Sequence, residues 1–201
     1  MTEIVLAEAA DADELGKVIA AAFCDLPPSF WLISARTIRQ EVFPGYFRIY
    51  VDLALAHGIV HTTADRTAVA LWMPVGATAD APPDDYDERL TAATTPWTSR
   101  FVLFDAALDQ HHPAGIPHHH LAILGVRPDM QGKGIGTEML AHHHAALDQE
   151  VVPAYLEAAD LRNRDLYLRH GYVDHGPPIQ LPDGPRMYPM WRQPAAGGSP
   201  G

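Results

Sequence analysis

The stretch Leu121–Leu140, LAILGVRPDMQGKGIGTEML, decides the fold. An apolar run ending at Val126 reads as a strand, and the periodic residues after Gly136 read as a helix. The turn between them carries Gly132, Gly134 and Gly136, with Gln131 and Lys133 beside them. The first N–H groups of a helix have no intrahelical partner and sit at the positive end of its dipole, so an anion placed there is stabilised. Glycines remove side chains that would block the approach and allow positive backbone dihedrals, letting successive N–H groups converge on one set of oxygens. The turn is therefore built for a phosphate, with Lys133 adding charge.

Two common phosphate loops fail on spacing. A Walker loop needs a glycine where Arg127 stands, and Ser or Thr where Gly134 follows the lysine. A dinucleotide fingerprint starting at Gly132 needs a third glycine at Thr137. What remains is Gln-x-x-Gly-x-Gly after Val126-Arg127-Pro128.

A second segment, Val152–Tyr172 (VPAYLEAADLRNRDLYLRHGY), reads as a short strand, a helix beginning near Arg162 or Asn163, and a Gly-Tyr pair. At about 100° per residue, Asn163, Leu166, Tyr167 and His170 share one helical face, while Arg162, Asp165 and Arg169 point away.

These two segments, in this order, resemble the GNAT superfamily of acyl-CoA-dependent N-acyltransferases. Further patches resemble the puromycin N-acetyltransferase group within it: AAAFCDLP (Ala20–Pro27), AVALWMP (Ala68–Pro74), GVRPDMQGKGIG (Gly125–Gly136), VPAYLEAADLRN (Val152–Asn163), LYLRHGY (Leu166–Tyr172) and PDGPRMYPMWRQP (Pro182–Pro194). Departures concentrate between Asp80 and His120, the interval expected to shape the acceptor pocket. The resemblance implies a mixed, mostly antiparallel α/β (α+β) sheet flanked by helices, with splayed central strands. It implies acetyl-CoA as co-substrate, with the pyrophosphate on Gln131, Gly132, Lys133, Gly134, Ile135, Gly136 and Thr137. Pantetheine would pair with the main chain of Leu124, Gly125 and Val126 and bond Asn163, and the Tyr167 hydroxyl would protonate the departing thiolate. It also implies an antibiotic-resistance role.

Read without that resemblance, Gly125 inside a strand marks a bulge or a close backbone approach. In the reaction that the resemblance implies, an amine attacking a thioester must be neutral, so a base is required. Glu157, at the end of its strand beside the cleft, is the first candidate. Asp160 and His120 stand behind it, His120 sharing the strand face of Ala122 and Leu124.

The 201 residues are 47% hydrophobic and 19% charged, consistent with one ordinary core over residues 1–193 and a flexible tail at 194–201. No apolar run of about 18 residues occurs and the N-terminus is acidic, so a cytoplasmic protein without membrane association is expected. A formal charge of −11 argues against nucleic-acid and anionic-membrane partners and favours a cationic acceptor. The single cysteine, Cys24, excludes an intrachain disulfide and reads as a small buried residue. Among twelve histidines are the runs His118–His120 and His142–His144. Neighbours on a strand point to opposite faces and those on a helix diverge by about 100°, so neither run presents three ligands together. No metal is expected, and the second run is placed on the solvent side of its helix.

Elsewhere, Glu3–Ala7 reads as a strand. Asp11 with Glu14 reads as a capping box opening a helix to about Phe23, stopped by Pro27 and Pro28. Thr37–His57 reads as two helical pieces broken at Pro44-Gly45. Ile59–Thr63 and Thr67–Met73 read as a hairpin, Pro74–Asp85 as a loop, Ser99–Gln110 as helical, and two short strands flank Pro177–Pro185.

The functional reading is a monomeric or homodimeric N-acetyltransferase acting on the primary amine of a small molecule, an antibiotic or metabolite. A GNAT-fold acyl-CoA-binding module without catalysis, and a protein or peptide N-acetyltransferase, remain as alternatives, the 74–117 insert suiting either kind of acceptor.

Overall fold

A computed structural model describes residues 2–76 and 84–195. Residues 77–83 of the expected 74–85 loop and 196–201 of the expected tail lie outside the described residues. In chain order the elements are β1 (Ile4–Leu6), α1 (Ala12–Phe23), α2 (Pro27–Leu32), α3 (Arg36–His57), β2 (Ile59–Thr63), β3 (Ala68–Val75), α4 (Tyr86–Thr94), α5 (Thr98–Asp109), β4 (His118–Val126), α6 (Ile135–Glu150), β5 (Ala154–Ala158), α7 (Leu161–Arg169), β6 (Val173–Asp174), β7 (Ile179–Gln180) and β8 (Arg186–Arg192).

The sheet runs β1-β2-β3-β4-β5-β8-β6, with β7 also on β8. Every pairing is antiparallel except β4 with β5. The run AVALWM reads as continuously apolar because β3 is buried on both faces. Val69 and Leu71 enter a core with α1, α3 and α5, while Ala68, Ala70 and Trp72 enter a second core with α6 and α7.

Three local expectations are corrected. Thr37–His57 is not two pieces but part of one helix, α3, with Pro44 inside it. Pro44 forfeits one backbone hydrogen bond at a cost of about 3 kcal/mol. Burial of Phe43, Tyr46, Phe47 and Ile49 outweighs this, at about 1.5–3 kcal/mol for each large apolar side chain. Gly16 lets α1 lie against this segment: a Cβ there would stand 3.1 Å from the Pro44 carbonyl oxygen. The Asp11–Glu14 capping box is absent; Asp11 makes no cap bond to α1, and its carboxylate accepts from the Glu8 N–H and from Arg66 Nε, each at 2.9 Å. Pro27 and Pro28 end α1 but also open α2, their fixed φ suiting a first turn. The helix α4 lies in the interval that carries no readable periodicity.

The bulge expected at Gly125 lies upstream. Leu71 faces Ile123 and Trp72 faces Leu121, so Ala122 is the extra residue on β4. Leu121 and Leu124, three apart, consequently share the core beside α6, whereas Ile123 enters the core beside α1. His120 therefore does not share Leu124's face, because the inserted residue inverts the alternation. Gly125 serves close approach instead: its Cβ position is 3.5 Å from Ala22 Cβ and Ile19 Cα of α1.

Candidate active site

Strands β4 and β5 pair only at His119–Ala154 and His120–Tyr155, then part. The gap between them opens a cleft of about 640 Å³. On the other edge of β4 the Arg127 N–H reaches the Thr67 carbonyl at 2.9 Å, so strand alternation turns the Val126 and Leu124 N–H groups toward the gap.

The glycine turn forms the mouth of this cleft. Gly132 and Gly134 have φ of 76° and 85°, the left-handed region in which a side chain is strained. Among the described residues nothing lies within 4 Å of either Cβ position. Gly134 is the N-cap of α6, and the first helical bond is Glu138 N–H to the Gly134 carbonyl, 3.0 Å. The N–H groups of Ile135, Gly136 and Thr137 are thus without intrahelical partners and face the cleft. Gln131 Nε2 donates to the Val126 carbonyl at 3.0 Å, tying the turn to the end of β4.

The second helix is set by Asp160, whose carboxylate accepts the Asn163 N–H at 2.7 Å as the N-cap of α7. Asn163, Leu166 and Tyr167 line the cleft, as their shared face requires. Tyr167 is 9% exposed, and burial pushes its hydroxyl pKa up, so it stays protonated at neutral pH. Arg162 and Arg169, expected to point away, also line the cleft, since their long stems reach round the helix.

Glu157 and His120 close the inner end. His120 Nε2 lies 2.9 Å from Glu157 Oε2, and His112 Nδ1 lies 3.9 Å from Glu157 Oε1. Burial raises the Glu157 carboxyl pKa, but the charge and hydrogen bond of His120, with smaller contributions from His112 and the Tyr155 hydroxyl, outweigh that and leave it below the ordinary glutamate value. His112 is driven down to about 4, chiefly by burial and then by His120.

Of the residues singled out by sequence, Leu124, Val126, Gln131, Gly132, Gly134, Ile135, Gly136, Thr137, Glu157, Asn163 and Tyr167 come together around one cleft, with His120 and Asp160. Gly125 and Lys133 do not line it; the Lys133 ammonium rests 3.3 Å from Met130 Sδ. Sequence reasoning missed the opposite wall. Phe23, Tyr46, Phe47, Tyr50, Phe104 and Leu108, from α1, α3 and α5, line it without forming any motif. Behind it Tyr50 and Tyr86 donate to the Asp105 carboxylate at 3.2 and 2.8 Å, and burial lifts that carboxyl to about 6. The only signal was helical spacing of aromatics in α3, which a plain core would equally produce.

The second histidine run also differs from expectation. Only His142 of the second run is exposed; His143 and His144 are buried. His143 stacks on Trp72 at 4.1 Å between His61 and His119, and His144 bonds the Tyr172 hydroxyl at 3.0 Å. The face of α6 that meets β3 is simply wider than one residue per turn.

Residues 101–174 match the acetyltransferase (GNAT) domain family. An uncharacterized N-acetyltransferase of Schizosaccharomyces pombe is 24% identical over 184 residues, covering 83% of this chain and 72% of that protein. The fold is similar to that of a Corynebacterium glutamicum protein described as histone acetyltransferase HPA2 and related acetyltransferase, with a TM-score of 0.72, 24% identity and coverage of 99% and 100%. It is also similar to arylalkylamine N-acetyltransferase 2 of Aedes aegypti, with a TM-score of 0.60, 12% identity and coverage of 95% and 98%. The parting of β4 from β5 and the glycine turn at a helix start both fall within the segment that matches the acetyltransferase (GNAT) domain, and the chain as a whole shares its fold with solved N-acetyltransferases.

Proposed function

We propose that residues 1–193 form one catalytic domain that transfers the acetyl group of acetyl-CoA to the primary amine of a small molecule with an apolar or aromatic body. The observation that carries this reading is the parting of β4 and β5, which joins a phosphate-compatible turn and an aromatic-walled pocket in one cleft. The pyrophosphate sits on the free N–H groups of Ile135, Gly136 and Thr137, across the turn Gln131–Gly134, with charge from Lys133, Arg162 and Arg169. Pantetheine lies along β4 as an added strand, bonded by the main chain of Leu124 and Val126 and by Asn163.

The amine enters from the side of Phe23, Phe47 and Phe104. Glu157, with its proton relayed through His120 or a water, takes the proton from the ammonium. The neutral amine attacks the thioester carbonyl, strand N–H groups near Val126 stabilise the oxyanion, and Tyr167 protonates the leaving thiolate. An aromatic wall with Asp105 behind Tyr50 suits a cationic arylalkylamine-like acceptor, in keeping with the similarity of fold to the Aedes aegypti arylalkylamine N-acetyltransferase. The test is thiol release from acetyl-CoA over a panel of amines, for wild type and Tyr167→Phe. Turnover of an aromatic amine that falls in Tyr167→Phe supports the reading; acetyl-CoA binding with no amine turned over contradicts it.

A further inference from the structure

Three groups from separate parts of the chain converge at the inner end of the cleft. His112 follows α5, His120 lies on β4 and Glu157 on β5, and one ligand atom from each lies within 4.8 Å of the others. The Glu157 side chain is 5% exposed, and its Oε1 is buried without a hydrogen-bond partner among the described residues. Facing it at 3.9 Å is His112 Nδ1.

The tautomers along a histidine chain make this juxtaposition informative. The Ile116 carbonyl can only accept, so its 2.7 Å contact with His118 Nδ1 requires the proton on that nitrogen. A neutral His118 then offers a lone pair at Nε2, and the 3.2 Å contact with His112 Nε2 requires the proton there. In a neutral His112 this leaves Nδ1 as a lone pair, aimed at the orphaned carboxylate oxygen. A half-buried lone pair and a buried carboxylate oxygen thus face each other with no hydrogen between them, an arrangement a cation relieves; the Tyr155 hydroxyl, also without a geometric partner among the described residues, is the neighbouring donor on that carboxylate.

We propose that His112, His120 and Glu157 bind one divalent transition-metal ion of the zinc class, and that the bound ion holds the transferase inactive. Two imidazoles and a carboxylate are the donors such an ion selects over magnesium or calcium. In a tetrahedral zinc site the ligand atoms stand about 3.3 Å apart; the present separations from Glu157, 2.9 and 3.9 Å, bracket that value. His112 already donates its other nitrogen to His118, which donates in turn to a carbonyl, the outer arrangement that orients a ligating histidine. His120 Nε2 becomes a ligand when its proton moves to Nδ1, leaving the ring neutral. The net charge of −11 favours cation entry, and because His120 and Glu157 line the cleft the site is reached from it. The inhibitory consequence rests on the proposed role of Glu157, since a carboxylate bound to a metal ion no longer takes up a proton.

The test uses EDTA-treated full-length protein. Cobalt(II) is titrated while visible ligand-field absorption is followed, zinc is added in competition, and CoA release is measured in parallel. Wild type is expected to bind one cobalt per chain with visible bands that zinc abolishes. His112→Asn should weaken that binding by about tenfold or more, while His142→Asn, altering an exposed histidine, should not. Zinc should suppress turnover by wild type and do so in His112→Asn only at correspondingly higher concentration, with the thermal unfolding midpoint of the metal-free variant reporting its folding. Absence of the bands, or equal cobalt affinity in wild type and His112→Asn, overturns the site. Full turnover with zinc bound overturns its inhibitory role. Should the metal-free wild type turn over no amine, the proposed function fails, and the cobalt spectrum still decides the site.

Discussion

His120 Nε2 and Glu157 Oε2 meet at 2.9 Å across the last paired residues of β4 and β5, where the two strands begin to part. An ionised carboxylate only accepts, so the imidazole donates, and the pair spans the inner end of the cleft with Glu157 on its buried side.

Glu157→Gln keeps the shape of that pair and removes its basicity. It is expected to lower kcat by about 100-fold to 10,000-fold while leaving CoA affinity within about twofold, because the carboxylate lies at the end away from the glycine turn. Since His120 holds the Glu157 carboxyl below the ordinary glutamate value, it is ionised throughout the neutral range. The rise of kcat/KM with pH should therefore follow the acceptor's own ammonium and move when the amine is exchanged for one of different pKa. Rates of CoA release from pH 6 to 9 with two amines check this; a limb that ignores the amine contradicts it.

Gly134→Asp places a carboxylate where an anion is expected and forces a side chain onto a φ of 85°. The Cβ position itself is open, so the fold tolerates the change at a cost of about 1–2 kcal/mol. The predicted loss is in CoA affinity, by tenfold or more on the scale of about 1.4 kcal/mol per decade. Thermal stabilisation by CoA equal to that of wild type would count against the turn as the phosphate site.

Buried neutral histidines make the protein acid-sensitive. Burial holds His61 at about 4, and His143 and His144 at about 3, against an ordinary value of 6.5. The unfolded chain therefore binds more protons than the folded one below about pH 6.5, and the stability these groups contribute is lost as pH falls from 6.5 toward 4. Asp105, raised to about 6, acts in the opposite sense with one proton. With His112, also held at about 4, the balance is a loss of roughly 3–4 kcal/mol per pH unit between pH 6 and 5. Urea unfolding at the two pH values measures it, and His143→Phe should remove about 1 kcal/mol per pH unit of the slope. A flat stability profile would refute this account.

Val151 closes α6 in the left-handed region, with φ 57° and ψ 40°, and is 73% exposed. A β-branched side chain there is strained and packs against little. Val151→Gly should stabilise the protein by about 1 kcal/mol, read as a rise in the unfolding midpoint with unchanged kcat. A fall in that midpoint would show that the strain is offset elsewhere.

The parts legible in the sequence were those whose chemistry is local. A strand, a glycine turn and a helix start are contiguous in Leu121–Leu140, and the Asn163–Tyr167 face follows from helical spacing, so both came through. What escaped depends on contacts between distant segments. The bulge at Ala122 is defined only by its partners Leu71 and Trp72 on β3, and it reversed the face assigned to His120. Pro44 was read as a break because its local cost is visible, whereas the packing of α3 on α1 is not. The aromatic wall comes from α1, α3 and α5, and the His112–Glu157 approach from the segment after α5 and from β5, and no spacing along the chain foretells them.

A crystal structure with acetyl-CoA tests the central claim most directly. The diphosphate is predicted within hydrogen-bonding distance of the N–H groups of Gly136 and Thr137, with the thioester sulfur beside the Tyr167 hydroxyl and the acetyl carbon facing Glu157 and His120. A nucleotide bound away from the glycine turn, or a sulfur distant from that hydroxyl, would contradict it.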